Sequence, residues 1–180
     1  LPTPFGTFQI VVFRSDLDHL EHVALVHGDV LGQADVPTRL HSECLTGDLF
    51  GSKRCDCGEQ LDLSLKMISQ HGGILIYLRQ EGRGIGLINK LKAYNLQDKG
   101  LDTIEANVHL GFEPDERDFE LAIDILRDLK VKKIDLITNK STDVTRSAEI
   151  QYATFDRTSE RVFILGESSA DLWSVADQSY

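Results

Sequence analysis

Cysteine is scarce in this chain: Cys44, Cys55 and Cys57 are the only three in 180 residues. An odd count in a short window leaves a thiol over, so a disulfide is the least favoured use for them. Long hydrophobic runs are missing too, and none approaches the roughly 20 apolar residues that carry a helix across a bilayer. Positive charge is in short supply, with 19 Lys+Arg against 29 Asp+Glu, a net charge of −10 and a pI near 5.0. A general binder of nucleic acid or anionic membrane needs a basic surface, so both partners are excluded as expectations. A local basic pocket for a phosphorylated small molecule is still compatible with that balance. The chain has no repeat, low-complexity block or Pro/Gly/Ser linker, and reads as a single domain over 1–180. Cysteines without a disulfide framework favour a reducing, cytoplasmic setting.

What is present concentrates in Arg39–Cys57, RLHSECLTGDLFGSKRCDC, which holds every cysteine at the spacing C-x10-C-x-C. Thiolates are soft ligands that suit tetrahedral zinc. Three protein ligands with an open fourth position is the arrangement of a catalytic zinc. Two blander readings stand beside it: a structural zinc whose fourth ligand is a histidine such as His41, or three reduced, partly buried thiols. Polar neighbours crowd the segment, namely His41, Ser42, Glu43, Asp48, Lys53, Arg54 and Asp56.

Around this segment the pattern predicts strands over Phe5–Phe13, His22–His27, Thr38–Glu43, Ile74–Leu78 and Ile134–Ile137. Leu61, Leu65 and Ile68 share one face of a helix over Cys57–Gln70, closed by Gly72-Gly73. A helix after Gly86 runs to about Asp98, and Asp118–Leu129 is the clearest amphipathic helix. Strands followed by helices from Ile74 onward indicate an α/β fold, a mixed β-sheet flanked by helices.

Two loops carry polar groups. RQEGRGIG (79–86) lies between a strand and a helix, with Gly82, Gly84 and Gly86 alternating around Arg83. Such a loop can cradle a phosphate through converging N–H groups, yet it matches neither the dinucleotide fingerprint nor the P-loop, and a simple turn explains it as well. The acidic run GFEPDERDF (111–119) reads most simply as a helix start, where the dipole favours carboxylates. Lys90 and Tyr94 fall four apart on one helix face, where an aromatic is ordinarily core.

Six blocks together, RLHSECLTGD (39–48), KRCDCG (53–58), RQEGRGIGL (79–87), KAYNLQDKG (92–100), DTIEAN (102–107) and GF..DERDF (111–119), resemble the GTP cyclohydrolase II family of riboflavin biosynthesis. The resemblance is close over residues 39–139 and implies that family's α/β fold. It also implies a zinc-dependent hydrolase that removes C8 of guanine as formate and splits pyrophosphate from GTP. Carried over by position, Cys44, Cys55 and Cys57 look like the ligands of one zinc per chain. Arg39, Leu40, His41, Ser42, Glu43, Gln60, Glu81, Gly82, Arg83, Thr103 and Thr138 look like GTP contacts. Asp115 resembles the proton acceptor, Arg117 the residue assigned as nucleophile towards the α-phosphorus, where charge stabilisation suits a guanidinium better, and Tyr94 a tyrosine of the ring-opening site. Glu81 joins Asp115 as a candidate for acid–base work. Mg²⁺ accompanying the triphosphate and a homodimer are further expectations from the same likeness.

After Asn139 the pattern departs. Where the family has TNNPKK this chain reads TNKSTDV (138–144), and the family's triphosphate-contacting lysine falls on Asp143. The tail 145–180 keeps only ERVFIL (160–165) as an echo of a late strand. Two other readings follow: a paralogue opening another purine nucleotide or leaving the triphosphate intact, and a non-catalytic nucleotide-binding protein stapled by zinc.

Overall fold

The computed structural model describes residues 1–16 and 18–137 in full and, beyond them, the backbone of four further strands. In chain order the strands are β1 (Pro2–Thr3), β2 (Gly6–Thr7), β3 (Gln9–Arg14), β4 (Glu21–His27), β5 (Val36–Ser42), β6 (Gly73–Leu78), β7 (Lys133–Leu136), β8 (Ser147–Glu149), β9 (Tyr152–Phe155), β10 (Arg161–Leu165) and β11 (Ala170–Ser174). The helices are α1 (Cys57–His71), α2 (Gly86–Gln97), α3 (Thr103–His109) and α4 (Glu120–Asp128). Thr138, Lys140 and Asp143 lie outside the described residues.

A six-stranded mixed sheet, ordered β3-β4-β6-β5-β7-β8, forms the middle layer. The strand β6 reads GILIYL and is buried along nearly its whole length, as expected of a strand covered on both faces. Its side chains alternate between two cores. Ile74, Ile76 and Leu78 meet Ala122, Ile125, Leu126 and Leu129, which lie in α4 or at its C-terminal end. Leu75 and Tyr77 turn to the other face, towards Phe8 and towards Leu65 and Ile68 of α1. Helices on both sides of a mixed sheet make this an α/β fold.

The predicted helix face of Leu61, Leu65 and Ile68 is therefore the one α1 packs inward. That helix ends where Gly72 takes φ 80° and returns its N–H to Ile68 O at 2.9 Å. The predicted strand Phe5–Phe13 is divided instead. Gly6–Thr7 pairs with Pro2–Thr3 in a small hairpin, while Gln9–Arg14 joins β4 in the main sheet. Between them Phe8, 1% exposed, plugs the α1-side core. The acidic run before α4 is not helical either, since α4 begins only at Glu120.

Three strands run parallel side by side, with β5 between β6 and β7. Their carboxyl ends, Ser42, Leu78 and Leu136, finish on the same edge of the sheet. Ligands of open α/β sheets bind outside such carboxyl ends. The cysteine segment leaves from β5 and the glycine loop from β6. Glu43 N donates to Leu78 O at 2.8 Å and holds the two exits together.

Candidate metal centre and active site

The cysteine segment leaves β5 in an extended conformation, tightens into a single π-type turn over Leu45–Leu49, and continues into α1 at Cys57. The turn folds Cys44 back over Cys55 and Cys57. All three Sγ atoms lie within 4.8 Å of one another, and Cys44 and Cys55 are 3.6 Å apart. Gly47 forms the floor. A Cβ there would stand 2.9 Å from Cys55 Sγ, 3.0 Å from Cys57 Cβ and 3.1 Å from Cys44 Sγ, so only glycine leaves the thiols room to converge. Gly58 serves the same approach from α1, because its Cβ would sit 2.6 Å from Gly47 O.

Before any metal arrives, hydrogen bonding from Cys57 and then from Lys90 holds Cys44 far below the ordinary thiol range, at about 4. Cys57 is pushed up because its proton is held by Cys44 and because it is buried, and burial raises Cys55. A soft cation binding the three sulfurs would displace the protons they hold. Three converging sulfurs over a glycine floor fit zinc. Among the described residues these are also the one His/Cys/Asp/Glu group placed to hold a metal. His41 is not part of it, which disfavours the four-ligand structural site. Its Nε2 is 3.0 Å from Asp48 Oδ1, and its ring stacks on Tyr77 at 5.5 Å.

Asp48 fixes the turn from inside. Its carboxylate accepts from Tyr77 OH at 2.7 Å and from Cys44 N at 2.9 Å, in addition to His41. Burial alone would raise Asp48, but bonds from His41, Tyr77 and the Cys44 N–H keep it below its ordinary value.

From the other side comes the glycine loop. Glu81 is 9% exposed and its carboxylate meets three donors: Leu45 N at 2.7 Å, Gly82 N at 2.9 Å and Lys90 Nζ at 2.7 Å. Lys90, in the first half of α2, also reaches Cys44 Sγ at 3.0 Å. Burial would strip its proton, yet the bonds to Cys44 and Glu81 hold it on and raise it above the ordinary lysine value. One turn further along α2, Tyr94 bonds Thr46 Oγ1 through its OH at 3.1 Å. Arg54 covers the Tyr94 ring at 4.8 Å and pairs with Asp98 at 2.6 Å. The Lys90–Tyr94 face thus looks into the cysteine turn rather than into the core.

Gly84 explains part of the glycine richness. A Cβ there would lie 2.6 Å from Glu116 O, and Glu116 N donates to Arg83 O at 3.0 Å. The loop is thereby laid directly on Asp115–Arg117, and Arg83 itself takes φ 59° to make the bend. Asp115 and Arg117 form a bidentate pair, with Arg117 Nε donating at 2.9 and 3.0 Å and the terminal Nη2 donating to Oδ2. Asp115 is 5% exposed, so the pair faces inward. Within the acidic run the carboxylate at the helix start is Asp118, which accepts from Glu120 N at 2.8 Å, whereas Asp115 is claimed by its own arginine.

The remaining predicted contacts distribute along β5 and its neighbours. Arg39 donates to Gln60 Oε1 at 2.8 Å and to Ile137 O at 3.2 Å, while its Nε and His41 Nδ1 are buried with no partner among the described residues. Leu40 packs on the α4-side core, which leaves only its backbone for any contact in the site. Ser42 accepts from Gln80 and Glu43 from Arg79, at 3.0 and 2.9 Å. Thr103 bonds Gln97 at 3.1 Å, one turn beyond Tyr94. Reasoning from sequence passed over Lys90, Thr46, Asp48 and Tyr77 as site residues. The available signals were a lysine one turn before a tyrosine and a tyrosine inside an otherwise apolar strand.

The family model for GTP cyclohydrolase II matches residues 1–152. GTP cyclohydrolase-2 of Picrophilus torridus is 58% identical over 140 residues, covering 77% of this chain and 72% of that protein. GTP cyclohydrolase-2 of Buchnera aphidicola subsp. Acyrthosiphon pisum is 59% identical over 140 residues, with the same coverage. Riboflavin biosynthesis protein RibBA of Bacillus subtilis is 59% identical over 141 residues, and the chain spans 35% of its length. With the matched span taking in β1 to β7 and the whole cysteine and glycine-loop site, the chain belongs to the GTP cyclohydrolase II family of hydrolases.

Proposed function

We propose that the chain hydrolyses GTP at a zinc centre held by Cys44, Cys55 and Cys57. The guanine imidazole ring opens, formate and pyrophosphate leave, and the product is 2,5-diamino-6-(5-phosphoribosylamino)pyrimidin-4-one, the first step of riboflavin biosynthesis. The observation that carries this reading is the convergence of three thiols beside Glu81, Tyr94 and the Asp115–Arg117 pair at the carboxyl edge of parallel strands. A bound zinc supplies Lewis acidity and makes water acidic enough to act near neutral pH.

The protein's own residues do the rest. Tyr94 stands over the cysteine turn with its hydroxyl on Thr46, where it can orient the base and pass a proton. Asp115 accepts the proton of attacking water once substrate phosphate draws Arg117 away from it. A guanidinium has no free lone pair at any working pH, so Arg117 stabilises charge developing at the α-phosphorus rather than attacking it. Arg39, held by Gln60, and Arg83, at the loop's apex, place positive charge where the rest of the chain is acidic. With both oxygens bonded, Glu81 is the fixed anion that ties Leu45 to α2. Mg²⁺ arriving with the triphosphate offsets its charge. A cytoplasmic homodimer is the expectation from the family resemblance, and the three disulfide-free cysteines suit a reducing compartment.

Asp143, in place of a lysine, favours a second reading in which the ring opens but the triphosphate stays intact. Mass spectrometry of the products from GTP and Mg²⁺ separates the two. Formate and pyrophosphate in equal amounts support the full reaction; formate with an intact triphosphate supports the second reading and rejects the first.

A further inference from the structure

The buried ammonium of Lys90 has no place in the reaction as described so far. A lysine with 8% exposure is uncommon, and it persists only where partners satisfy it. Here the stem crosses Gly82, whose own Cβ would come within 3.0 Å of Lys90 Cβ, so the loop is thinned to let the side chain through. The head then sits between two anions, Cys44 Sγ at 3.0 Å and Glu81 Oε1 at 2.7 Å, with the Tyr94 ring centroid 5.8 Å away. No such bond from a cationic side chain is seen to Cys55 or Cys57 among the described residues, so the three ligands are not equivalent.

We infer that Lys90 is a positioning and charge-balancing residue of the metal centre, donating an N–H to the Cys44 sulfur so that this thiolate serves as the weakest electron donor of the three. This rests on the zinc reading above. Three thiolates around a divalent cation carry a net charge of −1, and the Glu81 carboxylate beside them adds another. One ammonium touching both offsets half of that excess in a site largely shut off from water. A hydrogen bond to a ligating sulfur withdraws electron density from it and leaves the metal more electrophilic, which is what a centre that must activate water needs. The same side chain couples the metal site to the glycine loop: the Lys90–Glu81–Leu45 chain of bonds fixes how far the cysteine turn can open.

Cobalt(II) substitution tests this without recourse to turnover. In the full-length protein loaded with cobalt, Lys90→Met should move a thiolate-to-cobalt charge-transfer band to longer wavelength, because the Cys44 sulfur regains electron density. Lys90→Arg should keep the parent spectrum. Chelator competition should show Lys90→Met holding metal about 10-fold to 100-fold more weakly, the usual range for outer partners of metal ligands. Because Lys90→Met strands the buried Glu81 carboxylate at a cost in stability, the Glu81→Gln/Lys90→Met double variant is measured alongside it; it removes the stranded charge and should still show the shifted band. A parent-like spectrum in both Lys90→Met and the double variant overturns the role of Lys90 alone. A parent protein that takes up no cobalt overturns the metal reading and this one with it.

Discussion

Replacing Cys55 with serine is expected to abolish ring opening and to leave the protein without its metal. Serine is close in size, but its hydroxyl stays protonated at neutral pH and is a harder donor than a thiolate. Two thiols then remain where three converged within 4.8 Å. Loss of an outer partner of a ligand costs about 10-fold to 100-fold in affinity or activity, and loss of a ligand itself should exceed that range. The fold should survive, because Cys55 lies in neither hydrophobic core and precedes the first residue of α1. Metal content by mass spectrometry, together with circular dichroism, separates these effects. A Cys55→Ser protein with full activity would remove the three-thiolate centre from the reaction.

Arg117 offers the second large effect, and it bears on chemistry rather than on metal. If Arg117 neutralises charge at the α-phosphorus, Arg117→Gln should slow pyrophosphate release about 1,000-fold, the scale seen when a transition-state arginine is lost from phosphoryl transfer. Formate release should suffer less. Arg117→Lys keeps the charge but loses the planar fork that grips Asp115 through two nitrogens, and should fall between. Stability confounds the single variant, because its loss strands a carboxylate that is only 3% exposed. Breaking a buried pair costs about 3–5 kcal/mol. An Asp115→Asn/Arg117→Gln protein removes both charges, so it should regain most of that stability in urea while remaining inactive. Trapping a phosphate on the Arg117 side chain would contradict the charge-stabilising role.

How far these residues could be read from the chain alone differs by element. The α1 and α4 faces were legible because burial there follows a helical period that any sheet would satisfy. The strand β6 was legible because a run of ILIYL suits only a two-sided interior. Helix α3 was not read as a helix, although Asp102 and Glu105 form a capping box at its start. At only seven residues it lacks a hydrophobic period. Phe5–Phe13 looked like one strand because composition records β preference but not the turn at Phe5, where Thr3 Oγ1 takes N–H groups from Phe5 and Gly6.

In the site, the cysteines announced themselves by chemistry that few other residues share. Lys90 did not. A lysine in an amphipathic helix is ordinarily solvated, and only the docking of two loops from different strands gives it a buried carboxylate and a thiolate to bond. Asp115 misled for the opposite reason: a carboxylate before a helix has a ready local explanation, and the pairing with Arg117 that supplants it depends on the glycine loop packing against residue 116. Thr138, expected among the substrate contacts, lies outside the described residues.

The measurement that bears most directly on the three-cysteine centre as the seat of ring opening is formate release from GTP by one protein preparation in three states. As purified, it should release formate; stripped by a chelator, it should release none; returned to zinc without refolding, it should recover. Formate release that continues undiminished in the metal-free protein would contradict the account.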